Sequence, residues 1–240
     1  MTKHEQLCEL VRGSNNTVFF GGAGVSVPSG IPDFRSADGI YNQSYKYPPE
    51  QIISHSFFMQ NTEEFYRFYK DRMIFADAKP NAAHLWLASL EKAGKLSAVI
   101  TQNIDGLHQA AGSRRVLELH GSVLRNHCMK CGKSYGVDTI INSAGVPKCE
   151  CGGIIKPDVV LYEEALSDSV MNEAVRAISR CDLMIIGGTS LVVYPAAGLV
   201  RYLSKGAKLV VINKSSTSSD SAADLVINES IDTVLSSVGI

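Results

Sequence analysis

The chain has 240 residues with 23 Lys and Arg against 24 Asp and Glu, a net charge of −1; that is length for one sizeable core with at most one insert. Without a dense Lys/Arg run it carries no electrostatic footprint for a nucleic-acid backbone, so direct nucleic-acid binding is not expected. The N-terminal MTKHEQLCELVRGS lacks a signal-peptide apolar centre, and no apolar run approaches the roughly 18 residues that span a bilayer, so a cytoplasmic, membrane-free protein is expected, with a monomer favoured.

In chain order, TVFF (17–20) is the first strand-like run, and it feeds the loop GGAGVSVPSGIPDFRS. Glycines at 21, 22 and 24 begin like a dinucleotide-binding loop, but a hydride-carrier fingerprint would set its third glycine where Val27 stands. Pro28, Gly30 and Pro32 also break the long helix that such a fingerprint opens. Residues 32–55 hold three prolines and three tyrosines without a period, and a structureless loop of that length reads as a lid. Helical patterns follow at 62–76 and 81–93, then strands SAVITQ (97–102) and VLEL (116–119). Residues 121–156, polar and Gly-rich, carry the clustered cysteines and read as a metal-stapled insert. Strand DVVLY (158–162), a helix at 167–180, strand DLMIIG (182–187), a helix at 196–204, and strands KLVVIN (208–213) and DLVI (224–227) complete the chain. Continuous aliphatic strands alternating with helices predict an α/β fold: a doubly wound, mostly parallel Rossmann-like sheet. The expected units are residues 1–120 with 157–240 as the Rossmann-like domain and 121–156 as a zinc-ribbon insert, against which the lid 32–55 can pack.

Four motifs carry chemistry. Cys128, Cys131, Cys149 and Cys151 read C-x2-C-x17-C-x-C, near zinc-ribbon spacing although the second pair is one residue tight. Four protein thiolates leave no open position, so the expected zinc is structural. TQNIDGLH (101–108) sits at the carboxyl end of a strand, where open α/β sheets gather ligands, and Asn103 and Asp105 offer an amide and a carboxylate there; its plain reading is a turn. His120 in LHGS also ends a strand, followed by a glycine that leaves room for a ligand, and an imidazole there suits a general base; alone, a histidine is more often a core residue. GGTSLVVYPAAG (187–198) offers a second phosphate or ribose cradle through Thr189 and Ser190.

GAGVSVPSGIPDFRS, TQNIDGLH, HG, the cysteine quartet, KPDVVLYEE, GTSLVVYPAA and VIN occur in one order and together resemble the sirtuins, NAD-dependent protein deacylases, from about Val18 to Asp232. The resemblance implies that Ala23, Ser26 and Arg35 hold the NAD phosphates and Phe34 covers the nicotinamide side. Gln102 and Asn103 would address the nicotinamide ribose, with Asn103 sharing the catalytic role of His120; Ile104 and Asp105 would line the nicotinamide pocket. Thr189, Ser190, Asn213 and Asp232 would hold the adenosine half, and His120 would deprotonate a ribose hydroxyl. An acyl-lysine peptide would lie as an added strand between Val160, Leu161 and Tyr162 on one side and residues 188–192 on the other. Two departures stand out: Gly21 replaces the usual Thr of Thr-Gly-Ala-Gly, and Tyr162-Glu163-Glu164 replaces Phe-Gly-Glu. Sirtuins that prefer acidic acyl chains carry Tyr-x-x-Arg after the lid; the matching positions here are Tyr66 and Tyr69, which implies an uncharged acyl group, acetyl first, with long fatty chains as the alternative. A mono-ADP-ribosyltransferase shares the first half of this chemistry. A dehydrogenase lacks its third glycine here, and a zinc-ribbon adaptor would leave the NAD-type loops idle.

Overall fold

Thr2 and Glu5 begin the first helix reciprocally: the Thr2 hydroxyl accepts the Glu5 N–H at 3.2 Å while the Glu5 carboxylate accepts the Thr2 N–H at 2.6 Å. The structure, a computed structural model, describes residues 1–34, 39–40 and 45–239. That helix, α1 (Lys3–Gly13), is followed by β1 (Thr17–Gly21), then α2 (Pro49–Ile52), α3 (His55–Gln60), α4 (Thr62–Arg72) and α5 (Ala82–Lys92). Next come β2 (Leu96–Thr101), α6 (Leu107–Ala110), β3 (Val116–Glu118), β4 (Gly121–Cys128), β5 (Ser134–Gly136), α7 (Val137–Ile141) and β6 (Ile155–Val159). The chain closes with α8 (Asp168–Arg180), β7 (Leu183–Gly187), β8 (Lys208–Ile212), β9 (Leu225–Ile227) and α9 (Ile231–Ser236).

Six strands form one parallel sheet in the order β3-β2-β1-β7-β8-β9. Successive side chains serve opposite faces. Phe19, Val99, Ile185 and Val210 pack against α1, α5 and α9, whereas Val18, Phe20, Ile100, Ile186 and Val211 pack against α8 and the 3-10 helix Ala196–Tyr202. Being covered on both faces is what makes these strands continuous aliphatic runs. The chain leaves β1 for one side of the sheet and resumes on the other at β7, so the crevice of this topology opens between the carboxyl ends of β1 and β7.

A second body stands over that crevice. β4 pairs antiparallel with β5 and β6, and the resulting three-stranded sheet shares an apolar cluster with α2, α3 and α4: Ile52, Phe57, Phe58, Phe65, Tyr66 and Tyr69 meet Val123, Ile140, Ile155, Val159 and Leu161. The insert thus borrows its core from the helices that follow the loop, as its polar composition requires.

Four expectations change. The run 158–162 is not a strand of the parallel sheet: Asp158 and Val159 end β6, antiparallel to β4, because a β-branched run reports burial but not the sheet it joins. The expected boundary at 156/157 therefore falls inside β6. Residues 196–204 form a 3-10 rather than an α-helix, with Gly198 near its start. The segment 32–55 is not structureless: Pro49 opens α2, and Ile40, Ile52 and Ile53 are buried; residues 35–38 and 41–44 lie outside the described residues.

Candidate active site

The strand registers put the motif residues in one row. Glu118 pairs with Thr101, Thr101 with Gly21, Gly21 with Gly187, Gly187 with Ile212, and Ile212 with Ile227. Just beyond this row come His120, Gln102 and Asn103, Gly22, Gly188 and Thr189, and Asn213: loops far apart in sequence leave the sheet at one level. The two glycine turns interlock at the crevice. Gly24 N–H donates to the Gly188 carbonyl at 2.8 Å, and a Cβ on Gly24 would lie 2.8 Å from Gly188 Cα, one on Gly22 2.8 Å from Thr189 Cβ. Gly188 has φ of 59°, and its Cβ would run into the Val25 backbone, so only glycine fits there. Gly21, where sirtuins usually carry Thr, faces the Phe19 ring and Val25, an apolar packing position.

Behind this cradle lies a buried polar chain. Asn103 Nδ2 donates to Ser26 Oγ at 3.0 Å, and the Ser26 hydroxyl donates to Asp105 Oδ2 at 2.6 Å. The other oxygen of Asp105 accepts the Leu107 N–H at 2.9 Å, which fixes the carboxylate at the start of α6. Gln102 Nε2 reaches across to Thr189 Oγ1 at 3.0 Å and ties the β2 loop to the β7 loop. Two histidines support the far side: His84 and His108 are buried with ring centroids 4.7 Å apart, and neither His108 nitrogen has a partner. Burial lowers His84 to about 4 and His108 to about 3, with the Asp105 charge pulling His84 upward and His84 pushing His108 further down. Both rings are neutral at pH 7.

His120 is held differently. Its Nδ1 lies 2.9 Å from the Gln102 carbonyl, and a carbonyl partner makes Nδ1 the protonated nitrogen, leaving the lone pair on Nε2; the residue borders the cavity. Burial lowers its pKa from 6.5 and the Gln102 bond opposes that shift, so the free base prevails at neutral pH. The His120 carbonyl accepts the Val160 N–H at 3.0 Å, so the histidine is anchored to the edge segment that follows β6. On its other side that segment meets residues 53–56: Tyr162 N–H donates to the Ile53 carbonyl at 3.0 Å and His55 N–H to the Tyr162 carbonyl at 2.9 Å. Glu163 takes a φ of 74°, the left-handed region that the usual glycine occupies without strain, and its carboxylate accepts the Ser56 N–H at 2.8 Å.

One cavity of about 1050 Å³ runs along the crevice. It is bordered by Ala23, Ser26, Phe34, Gln102, Asn103, Ile104, Asp105, His120, Val160, Leu161, Tyr162, Thr189, Ser190 and Asn213, that is, by most of the residues singled out from the sequence. Asp232 does not border it; its carboxylate accepts the Ser230 hydroxyl at 2.5 Å in the first turn of α9, and Glu229, Ser230 and Ile231 line the cavity instead. Arg35 lies outside the described residues. Sequence reasoning missed the Glu229–Ile231 corner because it follows a three-residue strand without a glycine signature. It also missed the His84–His108 pair, whose two histidines sit 24 positions apart on different helices.

The four clustered thiols are all free, and their sulfurs lie within 4.8 Å of one another. The Cys128–Cys151 and Cys131–Cys149 sulfur separations are 3.5 and 3.6 Å, close to the edge of roughly 3.8 Å that a tetrahedron with Zn–S bonds of about 2.3 Å requires. The tight Cys149-x-Cys151 pair reaches this geometry because Gly153 carries no Cβ, which would lie 2.6 Å from Cys128 Sγ. The Tyr135 hydroxyl donates to Cys149 Sγ at 3.0 Å, and the Lys130 N–H donates to Cys128 Sγ at 3.4 Å. The set fits a structural zinc.

Known proteins share this arrangement. The Sir2 family profile matches residues 22–195. An NAD-dependent protein deacetylase of Clostridium perfringens is 61% identical over 239 residues, covering 98% of each chain. One of Cutibacterium acnes is 52% identical over 236 residues, covering 98% of this chain and 96% of the relative. Among solved structures, a Sir2 variant with a deacetylated p53 peptide and 3′-O-acetyl-ADP-ribose has a TM-score of 0.89 at 44% identity, over 98% of this chain and 97% of that one. A Sir2 with a p53 peptide and NAD+ has a TM-score of 0.85 at 44% identity, over 98% and 96%. With its glycine turns interlocked at the sheet crevice and its four thiols gathered at the end of β4 in the small sheet, the chain belongs to the Sir2 family.

Proposed function

We propose that the protein is an NAD-dependent protein-lysine deacetylase that transfers the acyl group of an acyl-lysine peptide to ADP-ribose and releases nicotinamide. The observation that carries this reading is His120: a neutral imidazole fixed through Nδ1 by the Gln102 carbonyl, on the border of a cavity that Ser26, Asn103 and Asp105 also line. The relatives that cover nearly the whole chain are named for this activity. When bound, NAD supplies the ribose carbon from which nicotinamide leaves and the hydroxyls that take up the acyl group. Ala23, Ser26 and Arg35 hold the phosphates, and Phe34 covers the nicotinamide side. Gln102 and Asn103 bind the nicotinamide ribose, while Ile104 and Asp105 form the pocket for the carboxamide. Thr189, Ser190 and Asn213 hold the adenosine half, with Asp232 acting on it through the Ser230 hydroxyl.

His120 takes a proton from a ribose hydroxyl at Nε2, and the Gln102 carbonyl stabilises the imidazolium through Nδ1–H. The polar chain from Asn103 to Asp105 orients its members before substrate arrives. Val160, Leu161 and Tyr162 form one wall of the substrate cleft beside His120, with residues 188–192 opposite; their N–H groups already donate to His120, Glu164 and Ile53, so this wall can offer an incoming peptide strand carbonyl oxygens but no N–H. Cys128, Cys131, Cys149 and Cys151 hold zinc to fasten the small sheet. Six-stranded sheet and zinc module act as two units, with the peptide at their seam. Free clustered thiols fit the reducing cytoplasm, and no helix among the described residues is long and apolar enough to cross a membrane. One chain carries every residue named, so a monomer suffices.

The test is mass spectrometry of an acetyl-lysine peptide incubated with NAD: one nicotinamide and one acetylated ADP-ribose form per lysine freed. A peptide that gains the mass of ADP-ribose would replace this reading with a transferase.

A further inference from the structure

Asn81, at the start of α5, does more than begin a helix. Its Oδ1 accepts the Ala83 N–H at 3.0 Å and its own N–H donates to His84 Nδ1 at 3.3 Å, the reciprocal pattern of a helix cap. With Oδ1 committed to the helix, the amide nitrogen is left for other acceptors. Nδ2 donates to the Val25 carbonyl at 2.8 Å and to the Ser29 hydroxyl at 2.9 Å. A cap needs only the oxygen, which serine or aspartate supplies as well. The two Nδ2 bonds are what the amide adds.

Val25 and Ser29 bracket the turn that carries Ser26, whose hydroxyl joins Asn103 and Asp105. The turn is built of two three-residue 3-10 helices, Ala23–Val25 and Val27–Ser29, whose bonds run within the loop: Ser26 N–H to the Ala23 carbonyl, Ser29 N–H to the Ser26 carbonyl. Pieces that short do not hold themselves. Two other ties fasten the loop, Gly24 N–H to the Gly188 carbonyl and the Ser26 hydroxyl to Asp105, and both partners line the cavity in which the cofactor is to bind. Asn81 does not border that cavity. It stands on a helix whose Ala83, Trp86, Leu87 and Leu90 are buried in the same core as Val25, so its grip on the loop does not depend on what occupies the crevice.

Resting on the deacetylase reading for its cofactor, we infer that Asn81 is a positioning residue for NAD: its amide nitrogen holds the Val25–Ser29 turn in the form that presents Ser26 to the crevice, without touching the cofactor. The test compares the wild type with Asn81→Ser, Asn81→Asp and Asn81→Ala. Serine keeps the cap but is too short to reach Val25; aspartate keeps cap and length but sets an oxygen where the donor stood. The readouts are ADP-ribose binding by calorimetry, KM for NAD and for an acetyl-lysine peptide, kcat, and the thermal midpoint. Asn81→Ser and Asn81→Asp weaken ADP-ribose binding and raise KM for NAD by about 5- to 30-fold, the range of two net hydrogen bonds withdrawn from the binding-competent loop. Peptide KM and kcat at saturating NAD stay as in the wild type, because bound NAD restores the loop. Their thermal midpoints stay above that of Asn81→Ala, which loses the cap as well. Wild-type ADP-ribose affinity in the serine and aspartate variants, or weakening confined to Asn81→Ala, would make Asn81 a helix cap only and overturn the assignment. A wild type that binds ADP-ribose, loses affinity on the same substitutions and yet frees no lysine from an acetyl peptide would overturn the deacetylase reading and leave the positioning role standing.

Discussion

Lowering the pH should destabilise this fold through one buried histidine more than through any exposed one, and His108→Met isolates the effect. In the unfolded chain each imidazole titrates near 6.5; in the fold burial holds His84 at about 4 and His108 at about 3. Between these values the unfolded chain binds protons that the folded chain refuses. The stability tied to neutral rings is thus complete above about pH 7 and is lost as pH falls from 6.5 toward 4. At pH 5 the unfolded rings sit about 1.5 units above the solution pH, and at about 1.36 kcal/mol per unit the loss is about 2 kcal/mol per ring. Two rings together lose about 4 kcal/mol, a large share of the 5–15 kcal/mol typical of a domain. Methionine fills the His108 site without charge and removes its two nitrogens, both of which lack a partner. Urea unfolding at pH 7.5 and 5.0, followed by the single tryptophan, Trp86, whose Nε1 donates to the Val238 carbonyl at 2.7 Å, reads the difference. The wild type should lose about 2 kcal/mol more than the variant over that interval, while titrations common to both, the thiols included, cancel. Equal losses would refute the claim that His108 is kept neutral by the fold.

Other outcomes follow from the same geometry. His120→Ala should lower deacetylation by about two to four orders of magnitude with an unchanged far-UV spectrum and zinc content. Because burial lowers the His120 pKa from 6.5, the wild-type rate should hold down to mildly acidic pH and fall only below that; a half-maximal rate above pH 7 would contradict the assignment. Gly188→Ala, with φ of 59° and the Val25 backbone in its way, should cost more than about 2 kcal/mol in urea unfolding. Gly198→Ala, whose Cβ would sit 3.6 Å from the Tyr194 ring, should stay within about 0.5 kcal/mol. Cys131→Ser should abolish stoichiometric zinc by elemental analysis and expose the small sheet to proteolysis, with the β1–β7 core still protected in hydrogen exchange.

The parallel sheet was readable because strands covered on both faces must be aliphatic throughout, and β1, β2, β7 and β8 were foreseen to within a residue or two. The strand-end motifs were readable for a related reason: a parallel sheet sends every such loop to the same side, so Gly22, Gln102, His120 and Thr189 could be grouped before any register was known. Direction and membership were not readable where a run lay in another sheet, as with Asp158 and Val159, since β-branching reports burial alone. The first helix escaped although Thr2 and Glu5 carried a capping box, and α9 escaped because six residues are too few for a period. Departures from the family pattern could be named from the sequence but not weighed. Only the left-handed φ of Glu163 and its carboxylate on the Ser56 N–H show what that replacement does to its surroundings.

Between the six-stranded sheet and the second body the described residues cross at 31–34, at 73–78, at His120 and at 159–166. The described residues of every crossing contribute to the cavity wall. The cleft therefore lies where the chain passes from one sheet to the other, and its two walls belong to different cores. Whatever spans the cleft and touches both walls adds contacts between two cores that the chain otherwise joins through these few segments.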